Sequence, residues 1–288
     1  MNFYVPDGLV LGTAVNGTNA TDAPNNPDVQ ARVSAFFNDI RNLYGISRGT
    51  VTYVPLPAKY RFIEEQDLED AWKQTKATPT GRGAHIILSE AVADWWGIAS
   101  GIPGAANSPG TDQSGLILSS IPQGTPEEEA FVMAHELGHF MGLNHTTEIS
   151  GQDADPLEDT PQCDHVFDET CPDFNNIMAP TGALVSPILT SALQRRVVTG
   201  SPILRALLVG DPPVAGKAFS LPPNWKRIFG HPSTALSAAE RAIASSFCGR
   251  PFKLSSKTGG TRAEWTRLAT NPALPRFVRM RAQKALAR

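Results

Sequence analysis

The segment at residues 125–145 constrains the fold of this chain more than any other, because its residues specify where a helix begins and ends. Thr125 is a typical N-cap, Pro126 suits the first helical position, and Glu128 completes a capping box three residues after the cap. The sequence AFVMAHELGHFM continues the helix, and Gly142 supplies the left-handed residue at which such a helix ends. These signals predict a well-defined helix followed by a sharp turn.

Three histidines on this segment form a candidate metal site. His135 and His139 lie four positions apart, so both imidazoles face the same side of the helix and can reach one ion. The turn at Gly142 brings His145 round as third ligand and leaves the fourth position to water, as in catalytic zinc sites. Glu136 is not a ligand, but it can accept a proton from water and pass it to a leaving amine. The pattern H-E-x-x-H-x-x-G-x-x-H therefore predicts a catalytic zinc centre rather than surface histidines.

Helical and strand-like patterns alternate before this segment, and the fold class that they predict is α+β. The expected elements are a helix at Pro27–Tyr44, a strand at Thr50–Leu56, a helix around Glu65–Thr75, and strands at Ala84–Leu88 and Ser114–Ser120. Residues 97–113 are rich in Gly, Pro and Ser and predict a surface loop. Residues 146–180 contain no clear helix or strand, and Thr190–Val198 predicts a closing helix.

The distribution of charge divides the chain into two units. Residues 1–221 carry a net charge of −14, whereas residues 222–288 carry +11. Near residue 206 the sequence also changes to a Pro-rich connector followed by short basic helices. The charge difference and this change together predict a first domain at 1–205 and a basic, mainly helical extension at 206–288. Residues 264–288 resemble one helix pair of a HEAT-type repeat. We expect the extension either to dock on the acidic first unit or to bind an anionic surface such as cell-wall polymer, nucleic acid or lipid.

The cysteines bear on the compartment of the protein. Cys163 and Cys171 lie eight positions apart in a polar stretch, which predicts a short disulfide and an oxidising environment. Three unpaired thiols, including Cys248, are the alternative interpretation. The N-terminus shows no signal peptide, and no apolar run approaches the roughly 20 residues of a membrane helix. The chain is therefore expected to be either cytosolic or the mature form of an exported protein.

The histidine motif, together with the residues that follow it, resembles the metzincin metallopeptidases. The stretch NNIMAP supplies a methionine, Met178, downstream of the third histidine, as the Met-turn of that family requires. The sequences DPLEDTPQC and CPDFNNIMAP are most similar to pappalysin-type and related bacterial secreted metzincins, while the proline two residues after Met178 resembles matrixins. No tyrosine stands at that position, so the resemblance does not imply a fifth, tyrosine ligand. The likeness covers roughly residues 1–205.

This resemblance implies a specific architecture and activity. The fold would combine a twisted mixed sheet, a backing helix, the active-site helix and the Met-turn, with Met178 as a hydrophobic floor under the metal. The strand Ser114–Ser120 would form the upper rim of the cleft, where an extended peptide adds as a further strand. The implied activity is that of a zinc metalloendopeptidase acting on protein or peptide substrates through a zinc-activated water. The family and the Cys163/Cys171 pair also imply a secreted or cell-envelope location.

Two alternatives stay open. The first alternative concerns four acidic residues of one loop. Either they bind calcium through their carboxylate oxygens, or they form a solvated loop of an acidic domain. They are Asp153, Asp155, Glu158 and Asp159. The second alternative concerns the function of the whole chain. On this interpretation the chain is a non-catalytic adhesion or recognition module that keeps a zinc scaffold and binds through its basic extension. Glu136 argues against that function, since a metal scaffold needs the histidines but not this carboxylate.

Overall fold

The computed structural model describes most of the chain up to residue 205 and a few positions beyond it. The described stretches are 1–12, 17–47, 49–77, 83–93, 95–120, 124–148, 154–163, 171–180 and 187–205, with the single positions 262, 266, 269, 270, 283 and 286. The predicted helix pair at 264–288, and almost all of the predicted extension, therefore lie outside the described residues. So do Asp153 and Cys248.

Helices and strands alternate along the described chain. In order they are β1 (Asn2–Pro6), α1 (Pro27–Tyr44), β2 (Thr52–Leu56), β3 (Phe62–Ile63), α2 (Leu68–Lys73), β4 (His85–Ser89), β5 (Ala91–Val92), β6 (Gly97–Ala99), β7 (Leu116–Ser119), α3 (Pro126–Phe140), α4 (Ala192–Thr199) and α5 (Pro202–Arg205). Short 3₁₀ turns at Glu65–Asp67 and Gln74–Ala77 extend α2 at both ends. This mixture of helices and a mixed sheet confirms the predicted α+β class.

Five strands form one mixed sheet in the order β2-β1-β4-β7-β6. The first four run parallel to one another, and β6 alone pairs antiparallel, with β7. Strands β3 and β5 form a separate parallel pair. The antiparallel β6 is thus the edge of the main sheet on the side of α3, against which it packs.

Alternate residues of the central strands point to two separate cores, as the period of a strand requires. On one face Phe3, Ile86 and Leu116 join the core formed with α1 and α3. On the other face Tyr4 and Ile87 pack in a second core with side chains from the region of α2. Because both faces are covered, the strands are apolar throughout, which is typical of buried parallel strands.

Helix α1 supports the active-site helix from behind, as the family resemblance implies for a backing helix. Asn26 caps it by accepting hydrogen bonds from the backbone N–H groups of Asp28 and Val29. Arg32 forms an ion pair with Glu129 of α3, and both side chains are almost completely buried. The pair joins the two helices at the N-terminal end of α3, where a buried charge needs a partner of opposite sign.

The structure corrects the prediction for the edge of the sheet. The strand predicted at Ser114–Ser120 is β7, which lies between β4 and β6 and is paired on both sides. The edge strand is β6, Gly97–Ala99, which begins in a stretch predicted to be loop. Strand β1, which pairs with both β2 and β4, is a further element absent from the sequence-based expectation. Both strands are short, and their pairing partners are distant in sequence.

Two of the few described positions in the C-terminal segment contact the first unit. Ala269 is a buried member of the core shared by α1 and α3, and Leu286 packs against that core. Within the described residues, no helix combines the length and the apolar character needed to cross a membrane.

Candidate metal centre

Helix α3 places two of the three histidines. Thr125 accepts a hydrogen bond from the backbone N–H of Glu128, whose carboxylate in turn accepts from the backbone N–H of Thr125. This capping box starts the helix where the sequence predicts it. His135 and His139 follow on one face, and their Nε2 atoms lie 3.1 Å apart.

The third histidine reaches the same point because the chain reverses after α3. Gly142 has φ of +111°, a backbone conformation that side chains with a Cβ rarely adopt. His145 then returns towards the helix, and its Nε2 lies 3.3 Å from that of His135 and 3.1 Å from that of His139. Among the described residues, these three form the one group of potential metal ligands that converges in this way.

The opposite ring nitrogens show how the imidazoles are oriented. The Nδ1 atom of His135 lies 2.6 Å from the carbonyl oxygen of Ile177, and that of His139 lies 2.8 Å from the carbonyl oxygen of Leu143. The Nδ1 atom of His145 lies 3.2 Å from Oε2 of Glu148. All three partners are acceptors, so each Nδ1 carries the proton and each Nε2 directs a lone pair to the common point.

Burial keeps the rings of His135 and His139 in the neutral form that metal ligands require. It lowers the pKa of His135 to about 3, with a further contribution from the neighbouring His145. Burial and the other two histidines also hold the pKa of His139 well below its usual value. Converging lone pairs repel one another, whereas a cation between them accepts all three.

The spacing of the Nε2 atoms fits zinc. Tetrahedral zinc with Zn–N bonds of about 2.0–2.1 Å places two ligand nitrogens roughly 3.3–3.4 Å apart. The observed separations of 3.1–3.3 Å are close to this value. Three neutral imidazoles leave one tetrahedral position for water or substrate, which distinguishes catalytic zinc sites from closed structural ones.

Glu136 lies beside this cluster and is completely buried. Its carboxylate accepts a hydrogen bond from the backbone N–H of Ala99 in β6. Among the described residues, nothing donates a hydrogen bond to Oε1. Burial raises the pKa of Glu136 to about 8. A cation held by the histidines would act in the opposite direction, because a nearby positive charge favours the carboxylate.

Gly97 allows the edge strand to approach Glu136 this closely. A Cβ added to Gly97 would lie 2.7 Å from Cγ of Glu136 and 2.9 Å from Cγ1 of Val132. Both distances are shorter than non-bonded carbon atoms tolerate. Strand β6 therefore positions the candidate base from one side, while α3 carries it.

Met178 packs against α3 between the first two histidines. It is fully buried, and a Cβ added to Gly138 would approach its Sδ to 2.6 Å. The hydroxyl of Tyr44 donates to the carbonyl oxygen of Ala134 at 3.0 Å and lies 3.7 Å from the same sulfur. The preceding residue, Ile177, supplies the carbonyl group that orients His135. The Met-turn thus touches the active-site helix where the sequence places glycine between the first two histidines.

Comparison with known proteins agrees with this geometry. The model of a peptidase family described as pregnancy-associated plasma protein-A matches residues 104–180. This segment is therefore similar to pappalysin-type metzincins. It contains the histidine motif and Met178, so the family and the histidine triad together imply a zinc metallopeptidase.

Among solved structures, the chain is similar to archaemetzincin from Methanopyrus kandleri. The two share 17% sequence identity over 70% of this chain and 86% of that chain, with a TM-score of 0.35. No curated protein matches the sequence.

A hydrogen-bond network that the sequence did not reveal holds the turn at Met178. Asn176 accepts a hydrogen bond from the backbone N–H of Met178 at 2.9 Å. Its side chain also exchanges two hydrogen bonds, each of 3.1 Å, with the side chain of Gln194 in α4. Gln194 is completely buried and, with Ser191, forms the capping box of α4. In the sequence, the S-x-x-Q spacing of Ser191 and Gln194 is the signal that involves this network. It predicts the start of a helix and does not indicate a contact with the metal site.

The predicted disulfide is present in the structure. Cys163 and Cys171 are joined, with their Cα atoms 5.3 Å apart. The backbone N–H of Cys163 also donates to the hydroxyl of Thr147, two residues after His145, at 3.0 Å. The bridge therefore lies between the third histidine and Met178 in sequence, and Cys163 contacts the segment that carries the third histidine.

The acidic loop does not assemble a second group of metal ligands in the part of the chain that the structure describes. Asp155 accepts hydrogen bonds from the hydroxyl of Thr160 and the backbone N–H of Leu157. Asp159 accepts from the hydroxyl of Ser191 and the backbone N–H of Leu193, both at 2.8 Å, at the start of α4. These two carboxylates therefore organise the loop and α4.

Proposed function

We propose that this chain is a zinc endopeptidase in which His135, His139 and His145 hold the ion and Glu136 transfers the proton. The convergence of three buried Nε2 atoms within 3.3 Å of one another is the observation that carries the proposal. Bound zinc would supply Lewis-acid chemistry, which polarises a carbonyl group and lowers the pKa of water. This function rests on the pappalysin-type segment at residues 104–180.

Glu136 is suited to the role of general base and then general acid. It follows His135 directly on α3 yet does not belong to the converging ligand group. The N–H of Ala99 anchors its carboxylate, while Oε1 is left to accept a proton from water. The same group would then return the proton to the leaving amine, so the residue ends each turnover as it began.

Strand β6 is the surface on which an extended substrate would bind. The carbonyl of Trp96 accepts from Ser119, and the N–H of Ser100 donates to the carbonyl of Gly115, so these groups point towards β7 and its flanks. Backbone groups alternate in direction along a strand. Those of Gly97 and Ala99 therefore point the other way, towards Glu136, as the hydrogen bond from Ala99 requires. A peptide added along this edge would pass the candidate base.

The substrates we propose are peptide bonds of proteins in an oxidising, extracellular or cell-envelope setting. The Cys163–Cys171 disulfide supports that location, because such bonds persist where thiols are not kept reduced. We assign the chemistry to residues 1–205, since every residue of the candidate site precedes Arg205. We propose that the extension at 206–288 is not needed for the chemistry, and its docking or binding to an anionic surface stays a prediction.

The proposal is tested by substituting Glu136 with glutamine in the zinc-loaded full chain. The amide keeps the shape of the side chain but cannot take a proton, so casein cleavage should fall at least about a hundredfold. Zinc content should stay at one ion per chain, because Glu136 is not a ligand. The matched control is Glu127→Gln, which alters an exposed glutamate of the same helix. Activity of the Glu136 variant within tenfold of the parent would contradict the mechanism.

A chelator experiment separates the peptidase from the zinc-containing binding module. Casein cleavage by the parent should stop on treatment with 1,10-phenanthroline and return when zinc is added. A parent chain that binds zinc but cleaves neither casein nor gelatin would favour the binding module instead.

A further inference from the structure

The three histidines differ in what orients them. His135 and His139 use backbone carbonyl oxygens, those of Ile177 and Leu143, which substitution of a side chain cannot remove. His145 uses a side chain, the carboxylate of Glu148, with 3.2 Å between Nδ1 and Oε2. The acceptor at the third ring can therefore be removed by substituting a side chain, unlike the acceptors at the other two.

His145 also has the least regular backbone around it. The first two histidines stand on α3, whereas His145 follows the turn at Gly142. Its neighbours are held through Thr146, whose N–H donates to the carbonyl of Met178, and through Thr147, whose hydroxyl accepts from Cys163. These bonds fix the path of the chain immediately after His145. Glu148 contacts the ring itself, at Nδ1.

The surroundings of this contact strengthen it. The side chain of His145 is 3% exposed and that of Glu148 is 15% exposed, so solvent screens the interaction weakly. The carboxylate also places a negative charge one imidazole away from the point where the three Nε2 atoms converge. A carboxylate in this position raises the basicity of the histidine that it contacts and attracts a cation bound on the other side of the ring.

We propose that Glu148 is a positioning residue for the third metal ligand and sets the affinity of the centre for zinc. It holds the Nδ1–H of His145 so that Nε2 faces the other two imidazoles, and it does not touch the metal or the substrate. This inference rests on the proposed function, since it requires that the histidines bind zinc.

The test measures zinc affinity of the full chain by competition with a chromogenic chelator. Glu148→Ala removes the acceptor and the charge and should weaken zinc binding about 10- to 100-fold. Glu158→Ala is the matched control, because Glu158 is an exposed glutamate ten residues further along the chain. Its zinc affinity should equal that of the parent. Thermal unfolding of the metal-free proteins is measured in parallel, and zinc affinity is compared at a temperature at which parent and variants are all folded, so that a loss of stability is separated from a loss of zinc affinity.

Glu148→Gln tests the hydrogen bond separately from the charge. The amide oxygen can still accept from Nδ1–H, so this variant should bind zinc more tightly than Glu148→Ala and more weakly than the parent. If Glu148→Ala does not fold, the comparison of Glu148→Gln with Glu158→Gln provides the same test, and equal zinc affinities there overturn the proposal. A change of less than about threefold in Glu148→Ala also overturns it. A parent chain that binds no zinc would instead contradict the proposed function.

Discussion

The sulfur of Met178 lies against Gly138, so closely that a methyl group on that glycine would come within 2.6 Å of it. The same methyl group would lie 2.6 Å from the hydroxyl of Tyr44. Gly138 is the residue immediately before the second histidine. The absence of a side chain there lets the Met-turn and α1 both contact the helix that carries the candidate ligands.

We predict that Gly138→Ala destabilises the protein despite favouring the helix. Alanine gains up to about 1 kcal/mol of helix propensity over glycine. Overpacking a buried site costs about 1–3 kcal/mol, and both contacting groups here are fully buried. The overpacking should prevail, lowering the free energy of unfolding in urea by about 1–2 kcal/mol. Gly49→Ala is the control, since an added Cβ there meets nothing within 4 Å. Equal stabilities of the Gly138 variant and the parent would refute this packing argument.

We predict that Gly97→Ala lowers turnover without removing the metal. The new methyl group would overlap Cγ of Glu136, which must then move away from the edge strand. Displacement of a catalytic group by about 1 Å can cost on the order of a hundredfold in rate. The expected result is a fall in kcat of at least tenfold at unchanged zinc content, measured on a short peptide. Unaltered kcat would mean that β6 does not position Glu136.

We predict that the pair formed by Asn176 and Gln194 is required for the Met-turn to hold its place. Gln194→Met keeps the size of the side chain but leaves the buried side-chain N–H group of Asn176 without an acceptor, which costs about 1–3 kcal/mol. The free energy of unfolding in urea should fall by that amount. Peptide cleavage per bound zinc should also fall, because Met178 is no longer held in position. The control is Gln66→Met at an exposed position. A Gln194 variant as stable and as active as the control would count against this role.

We predict that the disulfide stabilises the segment between the third histidine and the Met-turn. Closing a loop of eight residues contributes about 2–3 kcal/mol in the chain-entropy account. The double substitution Cys163→Ser with Cys171→Ser should lower the free energy of unfolding by that amount, whereas Cys248→Ser should leave it unchanged. Mass spectrometry of a non-reduced digest provides the direct check. Free thiols at both positions, or Cys248 paired with either, would refute the assignment.

The sequence by itself determined the features that depend on neighbouring residues. Thr125, Glu128 and Gly142 specify the start and end of α3 because capping and left-handed turns are local interactions. The spacing of His135 and His139 follows from the helical period. The extent of α1 and the class of the fold were likewise predicted, since the pattern of apolar residues along one helix or strand is also local.

Only the tertiary structure decided which distant groups complete the site. The edge strand β6 is short and is defined by its pairing with β7, so its sequence alone resembles a loop. Gln194 contacts the Met-turn from α4, and Tyr44 contacts it from α1, across 134 positions of sequence in the latter case. The local sequence pattern does not predict these contacts. Gln194 and Tyr44 both occur commonly in ordinary helices, so neither residue indicates a contact with a distant segment. Their role follows from burial and hydrogen bonding that exist once the sheet and helices have packed.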